Sequence, residues 1–321
     1  MKKRKYLFYC LFYIVLAILV LYEPDYIISK PGGIEDVSKS YTIANENKLE
    51  GSINITYIET IKPNLIYYFY AKLRNYDIEK VSDYAPNGLK KEENVEVLLY
   101  LSSIDNAIYN AYKYAGRKIN IKDEKVYVEY SLNHDSELDD GDLILEVDGK
   151  TITCAEDIRN ILNDIEGDSV LVKYQRDDKT YTTDVKLLKE ERGNYLGIKV
   201  IDIFDYDTNP KINYSIKDDV AGPSGGAMIT LSIYASLMDY DVTNGLKIAG
   251  TGSIDRDGNI GPIGSVDYKI KSALKAHVDV FFVPRFINYY EVLDMDLDLK
   301  DMKVIPVDNF EDILNYLANN K

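Results

Sequence analysis

A single hydroxyl stands in a turn made almost entirely of glycine and proline: residues 217–230 read KDDVAGPSGGAMIT, with Ser224 between Pro223 and Gly225. After it, small or apolar residues at Ala227, Met228, Leu231, Tyr234, Ala235 and Met238 are spaced for a helix over 225–240 with one buried stripe. Ser224 would then sit at a helix N-terminus, where unpaired N–H groups and the positive end of the dipole can hold an oxyanion. Gly222, Gly225 and Gly226 would let a substrate carbonyl approach the backbone. The pattern G-x-S-x-G also marks the nucleophile elbow of α/β-hydrolases, so the chemistry turns on the base.

The chain has two histidines. His277 follows Ser224 by 53 residues, the order expected of a hydrolase, but it closes a helical stretch that feeds an apolar strand. His134 lies in the acidic turn NHDSELDDGD and reads as exposed. A lysine can also accept the hydroxyl proton when burial disfavours its ammonium form. In VDYKIKSALKAH, residues 266–277, the apolar stripe is Val266, Ile270, Ala273, Leu274 and His277; Lys269 shares it through Val266 and Ala273, whereas Lys271 and Lys275 face elsewhere. By pattern alone, a buried Lys269, three solvated lysines and a His277 base all stay open.

The wording around these residues resembles the C-terminal part of the Lon family protease domain, in its single-span, PDZ-containing branch without an ATPase. GPSGG matches the family's serine motif, and LKIAGTGSIDRDGNIGPIGSVDYKIKSALKAHVDVFFVP its lysine segment, the likeness covering residues 195–315. Aligned on GPIG, Lys269 falls on the family's catalytic lysine, 45 residues after Ser224, and Thr251 on the threonine that hydrogen-bonds that lysine. The resemblance implies a Ser224–Lys269 dyad, Thr251 orienting the lysine, and an oxyanion turn at Gly222, Gly225 and Gly226. There are three departures: Gly225 replaces the more usual alanine, Ser265 replaces a second glycine, and Ala221, after Asp218, Asp219 and Val220, stands where an acid often precedes the first glycine. The two substitutions are small and imply little change of geometry.

Between these parts the texture is of short strands and turns. Gly141-Asp142, ILEVDGK, the AEDIRNIL helix and GDSVLVKYQRDDK resemble a bacterial PDZ domain of the HtrA type, which implies capture of an extended peptide as an added strand. No carboxylate-binding loop is evident before Val126. Upstream, GSINITYIETI reads as a strand, and 94–116 as a helix with Leu98, Leu101, Ile104, Ile108 and Ala111 on one face and Gly116 as its cap.

At the N-terminus MKKRK precedes 17 uncharged residues, Tyr6 to Tyr22, about 25 Å of helix against a hydrocarbon core of ~30 Å. No small-x-small cleavage site follows, so an uncleaved anchor is expected, with the basic tip cytoplasmic and the remainder outside. A net charge of -15 without a basic face beyond that tip argues against nucleic acid as a partner. Cys10 and Cys154 suggest neither a disulfide framework nor a zinc cluster, and no G-x-x-x-x-G-K-[ST] phosphate loop occurs.

The expected fold is α+β, with a single N-terminal transmembrane helix and a PDZ domain inserted in or preceding a Lon-type α/β protease domain. The expected parts are a basic tip (1–5), an anchor (6–22), an α/β segment forming the first part of the protease domain (23–118), a PDZ-like domain (119–190) and the proteolytic domain (195–318). The expected function is an ATP-independent serine endopeptidase acting on unfolded or flexible extracytoplasmic proteins that the PDZ domain recruits or gates. Its expected partners are protein or peptide substrates and the cell membrane, with no cofactor, metal, ATP or nucleic acid. The alternative is a catalytically inactive, membrane-anchored peptide-binding scaffold.

Overall fold

The computed structural model describes residues 2–44, 47–85, 88–133, 135–191, 193–217, 220 and 222–320; His134, Asp218, Asp219 and Ala221 lie outside them. Helix α1 (Lys2–Leu21) is exposed over residues 4–21 except for partly buried Leu19, and by length and composition Arg4–Leu21 can cross a membrane. There follow β1 (Tyr26–Asp36), β2 (Ser52–Ile61), α2 (Leu65–Leu73), β3 (Asp77–Lys80) and α3 (Leu89–Tyr114). Helix α3 stops where Gly116 turns to φ +64, a left-handed conformation that glycine adopts freely. Next come β4 (Lys118–Ser131), β5 (Leu143–Val147), α4 (Ala155–Asn163), β6 (Ser169–Arg176), β7 (Lys179–Lys186) and β8 (Ile198–Asn209). The chain continues with α5 (Gly226–Leu237), β9 (Lys247–Gly250), α6 (Val266–Lys275), β10 (Val280–Pro284), β11 (Lys303–Val307) and α7 (Phe310–Asn319).

One six-stranded sheet joins distant parts of the sequence, in the order β11-β10-β9-β2-β1-β3. Strand β9 runs parallel to β2, with Ile248 opposite Ile53, and parallel to β10 on its other side. Alternation along these strands splits the core. Ile248, Val280 and Phe282 point to the layer that holds α5, α3 and α7, whereas Ala249, Phe281 and Val283 point to the layer that holds α6. Side chains of β2 secure the central pairing from within: buried Asn54 donates to Ile248 O at 2.9 Å and Thr56 to Gly250 O at 3.1 Å.

The PDZ-like segment is inserted between the two contributions to this sheet. Its own sheet runs β8-β4-β5-β6-β7 over a separate core that includes Val128, Val147, Val172 and Val185. Asp148-Gly149 and Asp177-Asp178 both have positive φ at successive residues, as two-residue hairpin turns require, so DG and RDDK form the turns expected of them.

Several expected elements differ in detail. Helix α5 covers 226–237 rather than 225–240, and all its residues are buried, because α3 and the sheet enclose it. Helix α4 ends at Asn163 with Asp164 as its cap, before Gly167. Among the described residues of KINYSIKDD, Ile212–Tyr214 alone is a strand, paired with Tyr41–Ile43. On α3, Ile104, Ile108 and Ala111 are buried, while Leu98 and Leu101 are only partly so.

Helix α3 also binds the inserted segment. Asp105 accepts the Phe204 N–H of β8 at 3.1 Å, and burial pushes its carboxyl up to about 7, assisted by Asp205 and opposed by that bond and by Arg256. The sign follows from linkage. An unfolded Asp titrates near ~3.9, so the folded state holds the proton more tightly and loses stability as pH rises from about 4 to about 7. Asp105→Asn keeps the acceptor without the charge. It should raise stability at pH 8 by roughly 1–2 kcal/mol and leave it nearly unchanged at pH 4, as measured by unfolding at the two pH values.

Candidate active site

Ser224 and Lys269 come from opposite faces of the sheet. The serine turn precedes α5 in one layer and the lysine projects from α6 in the other; they converge at the carboxyl end of β9, where Gly250-Thr251-Gly252 leaves the sheet. Thr251 is buried, and its N–H donates to Phe282 O at 3.0 Å, which holds it to β10. Two bonds lock the serine turn to this segment: Gly252 N–H donates to Ser224 O at 2.8 Å, and Ala227 N–H donates to Gly252 O at 3.0 Å.

Lys269 is 3% exposed. Its helix buries Val266, Ile270 and Ala273 of the expected stripe but leaves Leu274 partly buried and His277 exposed; Tyr268 and Ser272 are buried as well, Lys271 forms an exposed i,i+4 pair with Asp267, and Lys275 is in solvent. Burial alone lowers the Lys269 amine to about 8, because the apolar surroundings penalise the ammonium form. Its Nζ donates to Thr251 Oγ1 at 3.4 Å, and that hydroxyl donates to Ser224 O at 3.1 Å. A neutral amine that donates to Thr251 keeps its lone pair for another proton. Among the described residues no hydrogen bond joins Ser224 Oγ directly to Lys269 Nζ, so Thr251 is the link between the two segments.

The glycines of the turn differ in what they do. Gly222 has φ +84, and a Cβ there would lie 2.9 Å from Glu96 Oε2; its N–H donates to Glu96 O at 3.1 Å. Gly226 has no room, since a Cβ would stand 2.6 Å from Ser103 Oγ and 2.9 Å from Ile254 Cγ2, and its N–H donates to Pro223 O. Gly225 has ordinary right-handed backbone, and its N–H meets no acceptor among the described residues. A Cβ at Gly225 would come 3.3 Å from Ile55 Cγ2, a contact that a slight shift of that side chain relieves.

Two residues of the site escaped the sequence reading. Glu96, on α3, sets its half-buried carboxyl beside Gly222, and burial with Glu92 and Glu129 nearby holds its pKa above the usual range. It brings an acidic group to the serine turn although Ala221 precedes Gly222, and 126 residues of separation left no local signal. Buried Asn288 accepts the Ile263 N–H and donates to Ile263 O, each at 2.8 Å, so it pins the GPIG loop from which α6 starts. His277 is exposed at φ +55 just beyond α6 and bonds to nothing in the serine turn among the described residues.

A serine at a helix N-terminus beside a buried amine defines a candidate serine hydrolase site. Comparison with known proteins finds likenesses over two stretches of the chain. Residues 216–319 match the Lon protease (S16) C-terminal proteolytic domain, and residues 115–187 match the PDZ domain. The Lon protease of Campylobacter jejuni subsp. jejuni is 34% identical over 96 residues, 30% of this chain and 12% of that protein. The archaeal Lon protease of Thermoplasma acidophilum is 28% identical over 98 residues, 30% of this chain and 14% of that one. The PDZ domain of an SdrC-like protein from Listeria monocytogenes is 25% identical, covers 25% of this chain and 92% of that domain, and has a TM-score of 0.23. The chain thus spans 12% and 14% of the length of these two curated relatives. Over these spans the chain matches a Lon protease C-terminal proteolytic domain and a PDZ domain.

The start of α6 carries a cost. Ser265 sits at φ +55, ψ 42, so the position asks for the left-handed conformation, which explains conformationally why glycine suits it. Ser265→Gly should therefore stabilise the protein by about 0.5–1 kcal/mol, the gain in strain less the added freedom of the unfolded chain. Equilibrium unfolding of the two proteins checks this, and equal midpoints would mean that the serine side chain repays its strain.

Proposed function

We propose that this chain is an ATP-independent serine endopeptidase whose nucleophile is Ser224 and whose base is neutral Lys269. The observation that carries the reading is the buried Lys269 amine, tied through Thr251 Oγ1 to the carbonyl of Ser224. In this reading Ser224 Oγ attacks the scissile carbonyl as its proton passes to Lys269 Nζ. The Gly225 N–H, at the positive end of α5, stabilises the oxyanion. The lysine then returns the proton to the leaving amine, and water releases the acyl group by the same base catalysis.

Residues 23–118 supply the first part of the protease domain, consistent with the sheet they share with β9, β10 and β11. Helix α1 anchors the chain with its basic tip in the cytoplasm, so the catalytic body faces the extracytoplasmic side. In this reading the substrates are unfolded or flexible and are cleaved without nucleotide.

The PDZ segment recruits or gates such substrates. Among the described residues strand β8 pairs only with β4, leaving an edge alongside which α4 lies, an arrangement suited to strand addition. Helix α3 offers a route from that strand to the site, since Asp105 holds Phe204 of β8 while Ser103 donates to Pro223 O at 2.9 Å in the serine turn.

The test is cleavage of an unfolded protein by purified variants. Ser224→Ala and Lys269→Ala should each lower kcat/KM by at least ~10³-fold, whereas His277→Ala should leave it unchanged. The parent rate should climb with pH through about 8, because only the neutral amine accepts the proton. Cleavage at the parent rate by either dyad variant overturns the reading. Failure of the parent to react with any serine-directed probe favours a peptide-binding scaffold.

A further inference from the structure

Helix α2 presents an apolar face that no part of the described chain covers. Ile66, Phe69, Tyr70 and Leu73 fall at i, i+3, i+4 and i+7, and they are 47%, 59%, 45% and 81% exposed. The opposite side is satisfied: Ala71 is fully buried, and Tyr68 packs its ring 5.1 Å from that of Tyr26. The helix is properly capped by Asn64, which accepts the Tyr67 N–H at 2.9 Å, so the exposed stripe belongs to a formed element.

What covers the stripe follows from its place in the chain. Helix α1 ends at Leu21 and packs against α2, and β1 begins at Tyr26, which contacts Tyr68. The few residues between can span at most ~15 Å, so α2 cannot stand far from the point where α1 would leave a bilayer. Its composition also suits an interface. Residues 62–74 read KPNLIYYFYAKLR, with three basic residues, no acidic one and four aromatic rings, in a chain whose net charge is -15. Tyrosines with flanking lysine and arginine are the residues that settle at headgroup level, the rings at the acyl boundary and the cations at anionic phosphates.

We propose that α2 lies in the headgroup layer of the membrane that α1 crosses, with Ile66, Phe69, Tyr70 and Leu73 immersed and Lys62, Lys72 and Arg74 at anionic lipid. This gives the protease body a second attachment and a defined orientation to the bilayer. It rests on the reading of α1 as a membrane span.

The chain contains no tryptophan, so one substitution provides a site-specific reporter. Full-length Phe69→Trp protein is reconstituted in phosphatidylcholine–phosphatidylglycerol vesicles, with or without lipid brominated near the headgroup end of its acyl chains. Two further proteins calibrate it: Leu16→Trp within α1, and Leu171→Trp on the exposed PDZ surface. The expected result is blue-shifted Phe69→Trp emission, quenched roughly twofold or more by brominated lipid and little by aqueous iodide, with Leu171→Trp the reverse. Iodide quenching equal to that of Leu171→Trp, with no effect of brominated lipid, overturns the proposal while Leu16→Trp still reports a span. Protection from iodide without quenching by brominated lipid shows a protein surface on the stripe and overturns it too. An unquenched Leu16→Trp overturns the span and this proposal together.

Discussion

The site depends on keeping one amine out of water. Lys269 is buried among Val266, Ile270 and Ala273 with no carboxylate bonded to it among the described residues, and this desolvation depresses its pKa. A carboxylate partner would reverse the effect, because it stabilises the charged form. The neighbouring acids are disposed accordingly: Asp267 pairs with exposed Lys271, and Glu96 lies beside the serine turn at Gly222. Thr251 gives the amine a neutral hydrogen-bond partner, which fixes its direction without restoring its charge.

The rest of the fold serves to bring that amine to a serine from the other side of a sheet. A parallel strand that ends at Gly250 can pass its chain between two layers, and the carboxyl ends of such strands are the natural meeting place for loops from both. Strand β2 is essential here, because Asn54 and Thr56 grip β9 from the N-terminal part of the chain. The PDZ segment can therefore be inserted without breaking the core, since its two long strands β4 and β8 leave and return together. Helix α3 spans both units, with Asp105 at one and Ser103 at the other.

Local chemistry made much of this legible. The spacing of Val266, Ile270 and Ala273 marked one lysine of three for burial, and GPSGG marked a turn that needs glycine. Turn pairs such as Asp148-Gly149 and the cap at Gly116 followed from conformational preference, which short sequence carries. Long-range contacts beyond the grouping of Ser224, Lys269 and Thr251 that the resemblance implied were not legible. Glu96 and Asn288 have no periodicity or motif that points to Gly222 or Ile263, and Ser265 looked innocuous because its left-handed φ belongs to the backbone rather than to its size. Helix α5 looked amphipathic because the sequence could not show that α3 would close its second side.

By itself, then, the sequence determined residue types and their local periods: a small glycine-lined turn around Ser224, a lysine on an apolar helix face, an N-terminal apolar helix and a run of strands with hairpin turns. The resemblance had paired Ser224, Lys269 and Thr251; only the tertiary structure decided that the Lys269 amine reaches Thr251 Oγ1 and that hydroxyl the Ser224 carbonyl, that β2 and β9 lie side by side, and that α2 is left with an uncovered apolar face. The reason is physical. Backbone preference and hydrophobic period act over a few residues, whereas desolvation and hydrogen bonding depend on every group that packing brings near, however distant it is along the chain.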